Sequence, residues 1–150
     1  MKQVLQALAA VGAIAFVGNV AAQSTVGELL EQGGKQVAKA DFLSLVPVRI
    51  ESKWPNRQGE ETLLLSADGK ISGTGYHYGS RSESPAAGTW KVEDDGQICT
   101  PKTFSAWNNS TNLCWYAFKK GDDYFTSAKI DKDSKVSRVG SVKPMGEAKP

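Results

Sequence analysis

Residues 61–79 read ETLLLSADGKISGTGYHYG. An Asp-Gly pair between two apolar runs is among the strongest short hairpin signals, because the tight turn that matches strand twist needs positive φ at its centre. The stretch therefore predicts a strand over 61–66, a turn at Ala67-Asp68-Gly69 and a second strand over 70–78. Gly73 and Gly75 inside the second strand mark a sharp bend or a bulge.

Working outward, the same grammar repeats. Upstream, Val46, Val48 and Ile50 alternate with Pro47, Arg49 and Glu51, a half-buried strand, and a turn over 54–59 joins it to the hairpin. Downstream, residues 79–88 are rich in Ser, Gly and Pro and read as a loop. A strand over 89–93 turns at Asp94-Asp95-Gly96 into a partner over 97–100. A strand over 112–119 passes through Gly121-Asp122-Asp123 into one over 124–130. Asp131-Lys132-Asp133-Ser134 turns into the last, over 135–142. About eight short strands at spacings of about 8–12 residues are the signature of an all-β sandwich or barrel. The fold class is mainly β, a small antiparallel β-barrel or curved meander sheet, since such meanders manage their edges by closing or curling.

Before the strands, Thr25 and Glu28 have the spacing of a capping box and predict a short helix over 26–32, ended by Gly33-Gly34. Asp41 is expected to cap a further short turn through Phe42, Leu43 and Leu45, which Pro47 stops. Residues 23–40 thus form an N-terminal helical segment packed at one end of a β-domain over 41–142, and 143–150 a flexible tail.

The first 22 residues read differently. Lys2 is their only charge, an apolar run follows, and Val20-Ala21-Ala22 offers small residues at a cleavage site. That is the pattern of a secretory signal peptide, cut between Ala22 and Gln23. The run is shorter than the roughly 20 residues a spanning helix needs, so no stable membrane anchor is expected. Export places Cys99 and Cys114 in an oxidising compartment, where two thiols pair. Their spacing is not that of a C-x-x-C redox centre, and with a single histidine the chain is too poor in ligands for structural zinc. A bridge closing a loop of about 15 residues contributes roughly 3 kcal/mol. It is expected to tie the ends of two neighbouring strands beneath a long loop over 101–112.

The runs around Asp68-Gly69, Gly88-Thr89-Trp90, Asp95-Gly96-Gln97-Ile98-Cys99, Cys114-Trp115-Tyr116 and Gly121-Asp122 together resemble a family of small exported proteobacterial proteins classed as a domain of unknown function. The resemblance spans residues 41–142. It implies a β-rich exported fold and supplies no catalytic residues. Gly88-Thr89-Trp90 also echoes the G-x-W of lipocalins, but theirs lies on the first strand and this one lies mid-chain.

Chemistry is harder to read. The formal charge is +2 over 150 residues, with lysines interleaved among acids, which is an ordinary solvated surface and no nucleic-acid stripe. His77, the sole histidine, sits between Tyr76 and Tyr78. A general-base role needs an orienting acid and a nucleophile; Ser80, Ser82 and Ser84 are near in sequence, without a G-x-S-x-G elbow around them. The segment 73–79 departs from G-x-G-x-x-G at Tyr78, so it is no phosphate loop. The Asp94-Asp95, Asp122-Asp123 and Asp131/Asp133 pairs fall at turns and lack the calcium-loop pattern. No catalytic residue, metal or cofactor is assigned. Aromatic side chains are the stronger hint: Trp54, Tyr76, His77, Tyr78, Trp107 and Trp115 are the ligand-binding candidates, with Trp54 and Trp107 expected in polar loops. Trp90 and Tyr116 are expected in the core. The expected function is a monomeric, non-enzymatic exported module, periplasmic or secreted, that binds an envelope component, a partner protein or a small ligand. Two alternatives stand beside it: an inhibitor or immunity protein acting through loops 79–87 and 101–112, and a small hydrolase using His77.

Overall fold

The computed structural model describes residues 25–146. The expected signal peptide, with its expected cut after Ala22, lies outside the described residues.

The chain runs α1 (Val26–Glu31), β1 (Lys35–Gln36), α2 (Lys39–Leu45), β2 (Val48–Lys53), β3 (Gly59–Leu65), β4 (Lys70–His77), β5 (Ser82–Thr89), β6 (Lys91–Val92), β7 (Gln97–Phe104), a 3-10 turn (Ser105–Trp107), β8 (Asn109–Lys120), β9 (Asp123–Ser127), β10 (Ser137–Arg138) and β11 (Ser141–Pro144). Nine strands form one antiparallel sheet in the order β10-β9-β8-β7-β5-β4-β3-β2-β11, while β1 adds to β8 and β6 to β7. The sheet curls into a half-barrel.

The hairpin over 61–79 forms as read. Leu65 pairs with Ile71, Leu63 with Gly73 and Glu61 with Gly75. Gly69 takes φ 80 at the turn, and the Asp68 carboxylate accepts from the Lys70 N–H and the Ser66 hydroxyl. The capping box also forms: Glu28 N–H donates to Thr25 Oγ1 at 3.3 Å and Thr25 N–H to Glu28 Oε2 at 3.2 Å.

Several expectations are corrected. The strand expected over 89–93 is reduced to β6. Residues 82–88, read as loop, belong with Thr89 to strand β5, paired along its whole length with β4. Their Ser, Ala and Gly side chains are small because the strand is pressed between neighbours: Ser84 and Ala86 are buried. Residues 101–112 are a continuous β7–β8 hairpin around a tight turn in which Asn108 adopts φ 47, the left-handed region Asn tolerates. Cys99 and Cys114 lie directly opposite each other in that hairpin and are bonded. The disulfide therefore clamps the middle of two paired strands, with no long loop above it. Strand β9 stops at Ser127 rather than 130, and the last strand splits into β10 and β11.

The helical segment is no separate layer, because β1 lies within it and α2 reaches Leu45. Helix α2 begins at Ala38 without a side-chain cap, and Asp41 sits inside its first turn. Helix α1 packs on the outer face of the sheet, where Val26 and Leu29 meet Phe118 and Phe125. Helix α2 instead closes one end: Phe42 meets Trp90 edge-on at 5.8 Å and Trp115 at 6.3 Å. Of the expected tail, Lys143 and Pro144 pair with β2 and Met145 N–H donates to the Pro47 carbonyl.

One bent segment decides the shape. Its first half, β10, pairs with β9; Val139 N–H donates to Tyr124 at 2.8 Å; its second half, β11, pairs with β2. A single stretch thereby straps the two margins of the sheet together at the α2 end. At the other end there is no strap. Strand β8 pairs with β9 only from Tyr116 to Lys120, so its half over 109–115 has β7 on one side alone. Strand β2 likewise runs past β11 at Ser52 and Lys53. The sheet is left open between these two overhangs.

Candidate functional site

Behind that opening lies a cavity of about 410 Å³, within the range of small-molecule sites. Strand alternation builds it, because every second side chain points inward. Ile50 comes from β2, Leu63 and Leu65 from β3, Thr100 and Lys102 from β7, and Leu113, Trp115 and Ala117 from β8, with Phe42 and Leu45 of α2 as the floor. Val139 of the strap completes the wall. Of the floor residues Phe42 is buried and Leu45 half-buried, whereas Lys53, Pro55, Leu113, Ala128 and Lys135 are exposed and form the rim.

Besides hydroxyls such as those of Thr100 and Ser127, one buried ion pair interrupts the apolar wall. Lys102 Nζ stands 3.3 Å from Glu61 Oε1, with side chains only 2% and 11% exposed. The ammonium also lies 5.9 Å from the centre of the Phe104 ring. Trp54 Nε1–H donates to Glu61 Oε2 at 3.4 Å. Burying two charges costs several kcal/mol per ion before their attraction is counted, and apolar replacements of such pairs are often neutral or stabilising. The pair is not what a packing requirement alone selects.

The six aromatic candidates divide into three groups. Trp54, His77 and Trp107 come together with Phe104: Trp54 lies 5.8 Å from both Trp107 and Phe104, and His77 lies 5.9 Å from Trp54 and 6.3 Å from Trp107. Edge-to-face contacts of this kind contribute about 0.5–1.5 kcal/mol each beyond burial. The cluster needs Gly75, since a Cβ there would stand 2.5 Å from Phe104 Cε1. Trp54 and Trp107 are therefore half-buried partners, a correction to their expected place in polar loops. Tyr76 and Tyr78 face each other at 5.8 Å, with the Tyr78 hydroxyl donating to Glu60 and its own proton held above the usual phenol range by that bond. Trp115 alone lines the cavity. Of the two aromatics expected in the core, Trp90 packs against it and donates to the Ser66 carbonyl. Tyr116 lies instead in the outer cluster under α1 and donates to Asp95.

His77 is tied into a chain of hydroxyls. Trp107 Nε1–H donates to Ser82 Oγ at 3.0 Å, Ser82 Oγ is 2.7 Å from Ser80 Oγ, and the Ser80 N–H donates to His77 Nδ1 at 3.2 Å. With Nδ1 accepting, the neutral ring carries its proton on Nε2. No carboxylate hydrogen-bonds to His77 among the described residues, so the orienting acid that a hydrolase needs is missing from its contacts. The acidic pairs serve turns and surface bridges: Asp94 meets Lys39 at 2.7 Å, and Asp123 meets Arg138 at 2.5 Å. Among the described residues no three His, Cys, Asp or Glu side chains converge on one point, and no helix is long and apolar enough to cross a membrane.

Sequence reasoning missed Lys102, Glu61, Phe42 and Thr100. A signal for Lys102 was present: Ile98, Thr100, Lys102 and Phe104 share one period-2 face, and reading 101–112 as loop hid it.

The chain matches no protein-family model, no curated protein and no solved structure.

Proposed function

We propose that this chain is an exported, non-catalytic binding module that takes a small, largely apolar ligand into its half-barrel. The observation that carries the reading is the cavity of about 410 Å³, floored by Phe42 and Leu45, walled in part by Trp115 and opening between β8 and β2. Pockets of this kind are concave, mostly apolar and supplied with a few polar groups for orientation, and Lys102 with Glu61 fits that role. Export is supported by the leader-like pattern of residues 1–22 and by the Cys99–Cys114 bridge. Membership of the family of exported proteobacterial proteins described above belongs to the same proposal. The inhibitor reading has less to support it, because the segments 79–87 and 101–112 on which it relied are strands joined by tight turns rather than long loops.

A neutral apolar fluorophore such as 1-aminoanthracene tests the reading. It is expected to brighten with the wild-type protein and to lose binding in Ala117→Phe, which fills the cavity from its wall, with a lowered melting temperature but a retained cooperative transition. Undiminished binding in a folded Ala117→Phe protein would place the ligand elsewhere and end the reading.

A further inference from the structure

We infer that the ligand is an amphiphile with an anionic head group, of the kind exemplified by a medium-chain monocarboxylate, lying apolar body inward with its head against Lys102 and the rim lysines. This rests on the interior-binding reading above and adds the ligand's chemical class and orientation.

The wall is divided along its depth. Toward α2 it is formed by Phe42, Leu45, Leu65, Trp115 and Val139, with no charged group. Lys102 and Glu61 come next, nearer the opening by strand order. At the rim stand Lys53 and Lys135, both exposed. With Lys53 set aside because Glu51 and Glu60 stand beside it, Lys102 and Lys135 against Glu61 still leave the lining positive. That gradient is the mirror of an anionic amphiphile.

The pair itself is biased the same way. Both oxygens of Glu61 are engaged, Oε1 by Lys102 and Oε2 by the indole N–H of Trp54. The Lys102 ammonium has three donors; one faces Glu61, and the Phe104 ring lies at 5.9 Å. An incoming anion can accept from a remaining donor without disturbing the pair. An incoming cation would have to displace Lys102 from Glu61 and leave a buried charge unpaired, a costly exchange. Lys53 also borders a shallow outer groove with Glu51 and Glu60, which offset its charge. Lys102 and Lys135 therefore carry the assignment.

The test uses three probes of one chain length, decanoate, decanol and decylamine, titrated calorimetrically at low ionic strength below their aggregation limits. Decanoate is expected to bind about tenfold or more tightly than decanol, the worth of a hydrogen bond to a charged group, and decylamine weakest. Lys135→Ala, at the exposed rim, is expected to weaken decanoate severalfold and leave decanol unchanged. The double variant Lys102→Met/Glu61→Gln removes both charges together and is expected to abolish the preference for decanoate. Equal binding of decanol, tighter binding of decylamine, or a decanoate affinity untouched by both variants overturns the head-group assignment and leaves interior binding standing. If 1-aminoanthracene binds but none of the three probes does, the amphiphile is wrong. If the fluorophore fails as well, the interior reading falls with it.

Discussion

Lys102 and Glu61 hold each other in a wall otherwise mostly apolar, and the physics of that pair can be separated by substitution. Removing one partner strands the other: Lys102→Met alone is expected to cost about 3–5 kcal/mol, measured by urea unfolding. The double change Lys102→Met/Glu61→Gln is expected to recover most of that loss. A single variant as stable as the double would mean that the two groups do not depend on each other. At Gly75 the constraint is steric. A methyl there meets the Phe104 and Trp107 rings, so Gly75→Ala is expected to destabilise by about 1–3 kcal/mol and to alter the near-ultraviolet circular dichroism of the Trp54–Trp107 pair. An unchanged spectrum would show that the rings tolerate the Cβ.

At the scale of elements, the disulfide and the strap are the two devices that hold the sheet in shape. The bridge closes 15 residues and is expected to contribute roughly 3 kcal/mol. Because β7 and β8 pair on both sides of it, reduction should lower the melting temperature without unfolding the chain, with faster amide exchange confined to the hairpin. Truncation after Arg138 removes β11 and uncovers the edge of β2. Exposed edges pair with other chains, so the truncated protein is expected to self-associate in sedimentation. What was legible in the sequence follows the same division. The hairpin over 61–79 was readable because turn chemistry and apolar alternation agree, and the one expected over 89–100 was readable in its turn and second strand, while its first strand is only Lys91–Val92. Strand β5 was not, because its residues are small and polar and its strand character comes from being pressed between β4 and β7. The site was half legible. Tryptophans advertise themselves by type, while Lys102 and Glu61 look like any surface charge until register turns them inward. The contact of Trp54 with Trp107 depends on pairing that local pattern cannot supply.

The whole molecule is a sheet strapped shut at one end and open at the other, and its charges are arranged accordingly. Turn carboxylates serve the fold. The hydroxyl of Ser66, then Lys70, hold Asp68 below the usual 3.8; the Lys39 ammonium does so for Asp94; the Gln97 N–H, then the Tyr116 hydroxyl, do so for Asp95. Groups depressed in the folded state stabilise it above their unfolded value, and that contribution is lost as pH falls through the folded one. Stability is therefore expected to decline below about pH 4, with a shallower decline in Asp95→Asn, read from urea melts across the acid range. An identical acid slope in that variant would remove Asp95 from the account. Ligand entry into the cavity behind the opening is read out by a methyl-resolved NMR titration with decanoate. The account predicts saturable shifts at Ile50, Leu63, Leu65, Leu113 and Val139, which line the cavity, and none at Val26 and Leu29, which pack on the outer face under α1. Shifts confined to the outer cluster, or no saturable shift at the lining methyls, would contradict it.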